Sequence, residues 1–361
     1  MPSLRINLPP LTRSLLVALL TLSLLNASLR YRQWAANAAN EGNKWTSLSV
    51  PYLTIVPAHS IYYPYVLLSA ALIEQNIFSF SASALTLLYG GRYLERAWTS
   101  PEFAKFILFV TVIPNLLSFL VYSLWYALGG NQVRANTVIH GAVALEAAFL
   151  VAFKQLVPEH TVSLFRGTLR MRVKHFPAVF VLANSLSGPL LGTDTAFFLS
   201  WFGFLTSWVY LRFYSLSPTL SSTSTGEGDV TKGDASDTFA FAQFFPEPIQ
   251  VLLAPICDAV YHALVTAKIC TPFSDEDVDA GNEQAHARAE GGLPSLINLG
   301  GGGGRGGSRR EEAERRRALA LRALDQRLNA ASAGRVPSGR PQSSHTAQPA
   351  PDTNSTETSA A

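Results

Sequence analysis

The feature that most constrains this chain is a run of apolar residues without a single charge, residues 106–128. A run of that length can cross the hydrocarbon core of a bilayer as one helix. A second run, residues 11–29, contains one charge, Arg13, close enough to its end for the side chain to reach the interface. Charged residues make up only 15% of the whole chain, although a polar tail is included in that figure. The sequence therefore indicates an integral membrane protein.

The first apolar run has two interpretations, a signal peptide or a retained helix. It follows a short basic region, as the apolar part of a signal peptide does. Residues 26–32, however, offer no convincing small-residue cleavage site, and further apolar segments follow. These two observations favour a retained transmembrane helix.

Four further segments are predicted to be membrane helices. Residues 65–89 carry one charge, Glu74. Three shorter segments of about 16 residues suit a packed bundle better than isolated anchors; they are residues 138–153, 176–191 and 196–211. The predicted fold class is an all-α polytopic membrane protein, a bundle of about six transmembrane helices with a largely disordered C-terminal tail. Only four residues separate the last two segments, so a re-entrant pair, with four complete spans, remains open.

The basic residues of the short loops predict the orientation, because such loops usually stay in the cytosol. The loops after the second and fourth predicted spans are basic, whereas the loop after the third holds only Arg134 and the loop after the fifth holds none. Both termini are therefore predicted to be cytosolic. The long first loop carries Arg30, Arg32 and Lys44, which is a mild conflict with this orientation.

Beyond Tyr214 the composition becomes polar, with one exception. Residues 239–248 contain four Phe in ten residues, which a solvated tail does not usually expose, so this segment is predicted to dock onto the membrane domain or the lipid interface. Residues 251–270 are apolar enough for a seventh span, but Pro255, Asp258, His262 and Lys268 favour an interfacial helix. The predicted domains are a membrane domain (1–214), a linker (215–238), a Phe-rich segment with an interfacial helix (239–270), a disordered Gly-rich linker (271–308), an Arg-rich amphipathic helix (309–330) and a disordered tail (331–361).

Ionisable residues inside membrane segments are costly and are therefore candidates for function. Here they are Glu74, His140, Glu146 and, at a helix end, Glu95. The favoured interpretation is nevertheless that each of them pairs with a backbone group or an arginine and only holds helices together.

Small residues on two of the short segments predict a close helix contact. Gly203 and Ser207 are four residues apart, and Gly141, Ala144 and Ala148 line the facing segment. Small side chains let two membrane helices approach closely. Core packing is the favoured interpretation of this seam, and a groove for a lipid or a client helix is the alternative.

No cofactor, metal or nucleic-acid site is predicted. The seven His are scattered, and a net charge of +3 does not indicate a nucleic-acid partner. Cys257 and Cys270 favour ordinary reduced thiols, with palmitoylation near the membrane as the alternative.

Several motifs, in the same order, resemble the transmembrane protein 115 family of eukaryotic rhomboid-like Golgi membrane proteins. The turn Gly91-Arg92-Tyr93-Leu94-Glu95 resembles the turn after the second span of rhomboid-like proteins. The other motifs are Val138-Ile139-His140-Gly141, Lys154-Gln155, Ser207-Trp208-Val209-Tyr210-Leu211-Arg212-Phe213-Tyr214, Gly228-Asp229, the Phe-rich segment 239–247, Lys268-Ile269-Cys270, and residues 313–328. The resemblance covers about residues 48–328, without the Gly-rich insert near Gly300.

The resemblance also bears on catalysis. A rhomboid protease needs a serine on its fourth helix and a histidine on its sixth, because the imidazole must deprotonate the hydroxyl. Here His140 stands at the position of the nucleophile and Ser200 at the position of the histidine. A swapped pair is disfavoured, because the preceding glycine and an oxyanion hole are missing. The resemblance therefore implies a noncatalytic protein, a pseudoprotease.

The family further implies retrograde vesicle transport from the Golgi to the endoplasmic reticulum, with indirect effects on glycosylation. It implies self-association and contact with a Golgi tethering complex, besides membrane lipids. A factor that binds or moves client transmembrane helices is the alternative. The predicted partner-binding residues are Phe244, Phe245, Pro246, Arg315, Arg316, Arg317, Leu321, Leu324 and Leu328.

Overall fold

The computed structural model describes residues 8–36, 48–158, 160–164, 169–218, 230–266 and 273–290. All of them belong to one compact unit, Met1–Pro294. The longer helices of this unit are α1 (Pro10–Ala36), α3 (Ile77–Leu85), α5 (Ser100–Gly129), α7 (Val143–Leu156), α8 (Phe176–Leu191), α9 (Asp194–Val209), α10 (Glu247–Thr266) and α11 (Asp275–Glu290). The short helices are α2 (Val66–Ser69), α4 (Arg92–Ala97) and α6 (Gln132–Ala135).

Helix α1 turns its polar side chains inward and its apolar side chains outward. Ser23, Asn26 and Arg30 recur at helical spacing and are buried, whereas Val17 and Leu20 are exposed. In a bilayer the apolar side faces lipid and the polar side faces the protein. By length and composition, α1 and α5 can each cross a membrane, which confirms the first and third predicted spans as continuous helices.

The second predicted span is broken. It consists of α2, a 3₁₀ turn at Ala70–Leu72, α3, a π-helical turn at Thr86–Gly91, and α4, and its two halves meet at an angle of 96°. At the break, the Glu74 amide donates to Ser23 Oγ at 3.0 Å, and Glu74 Oε1 accepts from Ser83 Oγ at 2.9 Å and from the Ala142 amide at 2.8 Å. Polar partners from α1 and from the start of α7 therefore satisfy the backbone and the carboxyl group where the helix is interrupted.

Helices α5, α7, α8 and α9 pack against one another, and α7 and α9 form the closest pair. A Cβ atom at Gly203 would lie only 2.6 Å from Ala144 Cα, so only glycine fits at this crossing. This confirms the close contact that the small residues predict. Around it lies an aromatic core that includes Phe103, Phe106 and Phe149.

The fourth predicted span begins five residues later than the sequence suggests, at Val143 instead of Val138. Ile139 pairs with Ile55 in an isolated β-bridge, and Gly141 has a positive φ of 102°. This backbone conformation is unfavourable for residues with a side chain. The bridge and the glycine turn therefore keep this stretch out of the helix.

Outside the bundle, strands β1 (Thr161–Leu164) and β2 (Leu169–Arg172) form one antiparallel hairpin, and β3 (Leu216–Pro218) and β4 (Val230–Lys232) form a second antiparallel pair. The second pair corrects the expectation of a simple linker over residues 215–238. Its strands end beside Asp234, Ala235 and Ser236, which are buried. Hydrogen bonds to the bundle hold the described parts of residues 215–238 in place.

Helix α11 corrects the expectation of disorder at the start of residues 271–308. Ser274 Oγ accepts from the Asp277 amide at 3.1 Å, and Asp277 Oδ2 accepts from the Ser274 amide at 3.2 Å. This reciprocal pattern is a capping box, which begins a helix. Asn282 also holds Asp237, since its Oδ1 accepts from the Asp237 amide at 2.9 Å. Charge and low hydrophobicity suggested disorder, but the cap and this contact stabilise the helix.

Candidate functional site at the ends of helices α7, α8 and α9

The two most specific motifs of the sequence meet in space. Trp208 Nε1, near the end of α9, donates to the Phe239 carbonyl oxygen at 3.1 Å, and Arg212 Nη1 donates to the Ser236 carbonyl oxygen at 2.5 Å. The Trp208 and Phe241 rings lie 5.3 Å apart, edge to face. The segment of residues 233–245, which we call the Phe-rich cap, is thereby held against the end of α9. This confirms that the Phe-rich segment docks onto the membrane domain.

A buried lysine at the end of α7 packs against the cap. Lys154, near the end of α7, is almost fully buried, and its Nζ lies 3.3 Å from the centroid of the Phe244 ring and 5.9 Å from that of Phe239. Within the described part of the chain this Nζ has no hydrogen-bond partner. A cation against an aromatic face is attracted by the ring quadrupole, more strongly when water is excluded. The neighbouring Gln155 donates to Asp234 Oδ2 at 2.9 Å, so the Lys154-Gln155 pair binds the cap at two points.

The start of α8 completes the surroundings of Phe244. Phe244 is 0% exposed and packs edge to face on Phe204 with 5.1 Å between centroids. His175 Nδ1 lies 3.4 Å from the Phe244 carbonyl oxygen, and burial lowers the pKa of this imidazole. The structure therefore corrects the prediction that Phe244 binds a partner, because its side chain is enclosed by the bundle. Phe245 is half-buried and Pro246 is exposed.

A second cluster of predicted residues joins the starts of α1 and α5 to α4. Glu95 accepts four hydrogen bonds, from the Leu11 and Thr12 amides, Thr12 Oγ1 and Ser100 Oγ, at 2.7–3.0 Å. The first amides of a helix lack partners within it and carry partial positive charge, which a carboxylate satisfies. Gly91 makes room for Thr12, since a Cβ there would lie 3.3 Å from Thr12 Oγ1. Leu94 is buried in the core, and Arg92 is half-buried. Glu95 is thus the cap of α1.

His140 and Gly141 lie at the break of the second span. Nδ1 of the His140 ring has no hydrogen-bond partner within the described part of the chain. A Cβ at Gly141 would lie 3.4 Å from Glu74 Oε1, so Gly141 allows the carboxyl group to approach. Ser200 Oγ donates to the Phe197 carbonyl oxygen and Ser207 Oγ donates to that of Phe204, both at 2.9 Å. Neither hydroxyl is therefore paired with His140 as a nucleophile is with its base.

Sequence reasoning missed one link in the bundle. Ser83 Oγ lies 2.9 Å from both Glu74 Oε1 and Glu146 Oε1, and it joins the two acidic residues across α3 and α7. A serine bounded by apolar residues gives no sequence signal of such a role. In the described residues, no three His, Cys, Asp or Glu side chains come together as metal ligands. The predicted partner residues Arg315, Arg316, Arg317, Leu321, Leu324 and Leu328 lie outside the described residues.

Inward polar side chains, outward apolar ones and a span broken at a buried glutamate define a polytopic helical membrane protein. The model of the family "Eukaryotic integral membrane protein (DUF1751)" matches residues 13–330, and the chain belongs to this family.

Three relatives illustrate the range of similarity. The chain is 29% identical to the transmembrane protein 115 homolog of Saccharomyces cerevisiae, over 78% of this chain and 81% of the yeast protein. It is 28% identical to rhomboid-like protein 19 of Arabidopsis thaliana, over 69% of this chain and 80% of the plant protein. It is 33% identical to human transmembrane protein 115, over 71% of this chain and 65% of the human protein. The family match, residues 13–330, includes the cap and nearly all of the bundle.

Proposed function

We propose that this protein is a noncatalytic Golgi membrane protein that acts in retrograde vesicle transport to the endoplasmic reticulum and affects glycosylation indirectly. The observation that carries the proposal is the Phe-rich cap. Trp208, Arg212 and Lys154 hold the chain that leaves α9 against the end of the bundle. The C-terminal segments therefore start from a fixed platform, as an adaptor requires.

The orientation and partners in this proposal follow from charge and resemblance. Lys154, Arg172 and Lys174 lie at or near the capped end of the bundle, which supports a cytosolic location for the cap and both termini. The Arg-rich helix of residues 309–330 then binds a Golgi tethering complex in the cytosol. The protein also associates with further copies of itself.

The absence of catalysis is supported by the hydroxyl of Ser200. It donates to a carbonyl oxygen one turn earlier in its own helix, and a nucleophile instead needs a hydrogen bond to a base. The proposed role is therefore binding and positioning, with membrane lipids around the bundle and no cofactor.

The test is proximity labelling in intact cells with the labelling enzyme fused to the C-terminus. Full-length protein is compared with a variant lacking residues 311–328 and with a matched control lacking residues 340–357, a deletion of the same length in the polar tail. We expect the full-length chain and the control to label tether and coat proteins, and the variant lacking residues 311–328 not to label them. Identical label sets for all three would remove the adaptor role.

One observation favours a second function, the binding or movement of client transmembrane helices. Helices α7 and α8 have 14 and 16 residues, so each is at most about 24 Å long, shorter than the roughly 30 Å of a bilayer core, whereas α9 continues into a π-helical turn, Tyr210–Tyr214. Short helices favour local thinning of the bilayer. Photo-crosslinkers on the lipid-facing surface of α9, at Leu205 and Val209, would capture client helices under this alternative and only lipid under the adaptor function.

A further inference from the structure

We propose that α10 binds the surface of the lipid bilayer beside the bundle, with its exposed apolar face in the acyl region. Helix α10 would then attach the protein to the membrane in addition to the transmembrane spans. This inference does not depend on the proposed transport function.

The apolar face of α10 is defined by spacing and by exposure. Ile249, Leu252, Ile256 and Val260 follow one another at intervals of three and four residues, so they lie on one side of the helix. Their exposed fractions are 44%, 71%, 59% and 54%. A contiguous set of large exposed aliphatic side chains marks an interaction surface.

The opposite face of α10 is mixed. Helical spacing places Asp258 and His262 on the side away from Ile256, and both are exposed, as is Val251 on the same side. Gln250 Nε2 donates to the Phe245 carbonyl oxygen at 2.7 Å, which ties the start of the helix to the cap. An apolar face opposite a face that carries polar side chains suits a helix at a water–lipid boundary.

The position of α10 identifies lipid as the occupant. The helix begins three residues after Phe244, which is buried among the ends of α7, α8 and α9, so its start is held where these membrane helices end. The chain therefore leaves the bundle where the membrane helices end, and an exposed apolar face that starts at this level is expected to lie in lipid.

The charge of α10 defines which lipid chemistry it needs. Residues 247–266 contain no Lys or Arg and include Glu247 and Asp258. Attraction to anionic headgroups needs basic residues, so binding here rests on apolar contact alone. Zwitterionic phosphatidylcholine, which has no net charge, is expected to be sufficient for binding of α10. High salt is expected not to release the helix.

The experiment uses full-length protein in phosphatidylcholine nanodiscs, with Cys257 and Cys270 replaced by Ser. Single cysteines are introduced by Ile256→Cys and Val260→Cys on the apolar face, and by Asp258→Cys and His262→Cys on the polar face as matched controls. Each is labelled with an environment-sensitive fluorophore and measured without spin-labelled lipid, with lipid that carries a spin label high in its acyl chain, and with lipid that carries one deep in its acyl chain. If Ile256→Cys or Val260→Cys changes the thermal unfolding of the protein relative to the parent, Leu252→Cys replaces it.

We expect blue-shifted emission and strong quenching at 256 and 260, and neither effect at 258 and 262. No quenching at 256 and 260 would show that protein or water covers this face and would overturn the proposal. Quenching at all four positions by a label deep in the acyl chain would show a seventh span and would overturn it as well. If quenching occurs only after phosphatidylserine is added, binding depends on charge, and the proposed apolar binding of α10 is wrong.

Discussion

At the scale of single residues, the polar groups of the bundle are used to satisfy helix ends and breaks. Glu95 accepts from the first amides of α1, which have no partner within the helix, and Glu74 accepts from backbone and side-chain donors at the break in the second span. Unsatisfied amides are especially costly in a membrane, because no water replaces the missing partner. The two acidic side chains thus belong to the architecture of the bundle, which was the favoured interpretation of their sequence positions.

The contribution of Glu95 is open to a direct test. Glu95→Ala leaves buried amide and hydroxyl donors without an acceptor, so it is expected to lower the free energy of unfolding by about 1–3 kcal/mol. Glu102→Ala is the matched control, because its ion pair with Lys105 is on the surface, where such pairs contribute about 0–1 kcal/mol. Thermal unfolding of the purified protein in detergent measures both. Equal effects of the two substitutions would contradict the capping role.

At the scale of elements, the bundle depends on how closely α7 and α9 approach each other. A small residue on one helix lets the backbone of the other come near, and dispersion contacts then accumulate along both. Gly203 sets this distance, because it faces Ala144 directly. The same short distance between α7 and α9 also places the end of α9, with Trp208 and the following Arg212, against the cap.

Gly203→Ala is expected to destabilise the protein by about 1–3 kcal/mol, since the added methyl group must push the two helix backbones apart. Gly129→Ala is its control, because a Cβ there meets its nearest neighbour, Trp125 Cδ1, at 3.9 Å. That change is expected to be neutral or slightly stabilising, as alanine has the higher helix propensity. Thermal unfolding again distinguishes them, and an unaltered midpoint for Gly203→Ala would refute the close crossing.

At the scale of the whole molecule, the bundle and the cap form a single unit. Of the two positions that the resemblance compares with a protease dyad, Ser200 donates its hydroxyl to the Phe197 carbonyl oxygen of its own helix. Under the proposed noncatalytic function, this hydroxyl is not needed for reactivity.

Ser200→Ala is therefore expected to leave function intact. Cells that lack the protein are supplied with either form, and the retrograde transport of a Golgi marker is followed. The substitution removes one hydroxyl whose only described hydrogen bond is to a backbone carbonyl of its own helix, so recovery is expected to equal that of the unaltered protein. Loss of transport, or of any cleavage product, with this variant at normal abundance would show that the protein is an enzyme.

Much of the bundle could be predicted, because long uncharged runs leave a chain few alternatives to membrane helices. The first and third spans and the close contact at Gly203 follow from composition and spacing. The break near Glu74 was missed because the residues on both sides are apolar, so that hydropathy does not mark the interruption. The capping box at Ser274 and Asp277 was visible in the sequence, but the strongly charged composition obscured it.

The sequence by itself determined that this protein lies in a membrane, roughly where its helices run, and that Phe-rich residues beyond the last helix must be covered. These properties depend on local hydropathy and spacing, which are contained in short stretches of chain. Only the tertiary structure decided that Phe244 covers Lys154, that Glu95 caps α1 across 84 positions of sequence, and that α10 keeps an uncovered apolar face. Such contacts join distant segments, and their energies depend on burial and distance, which exist only once the chain has folded.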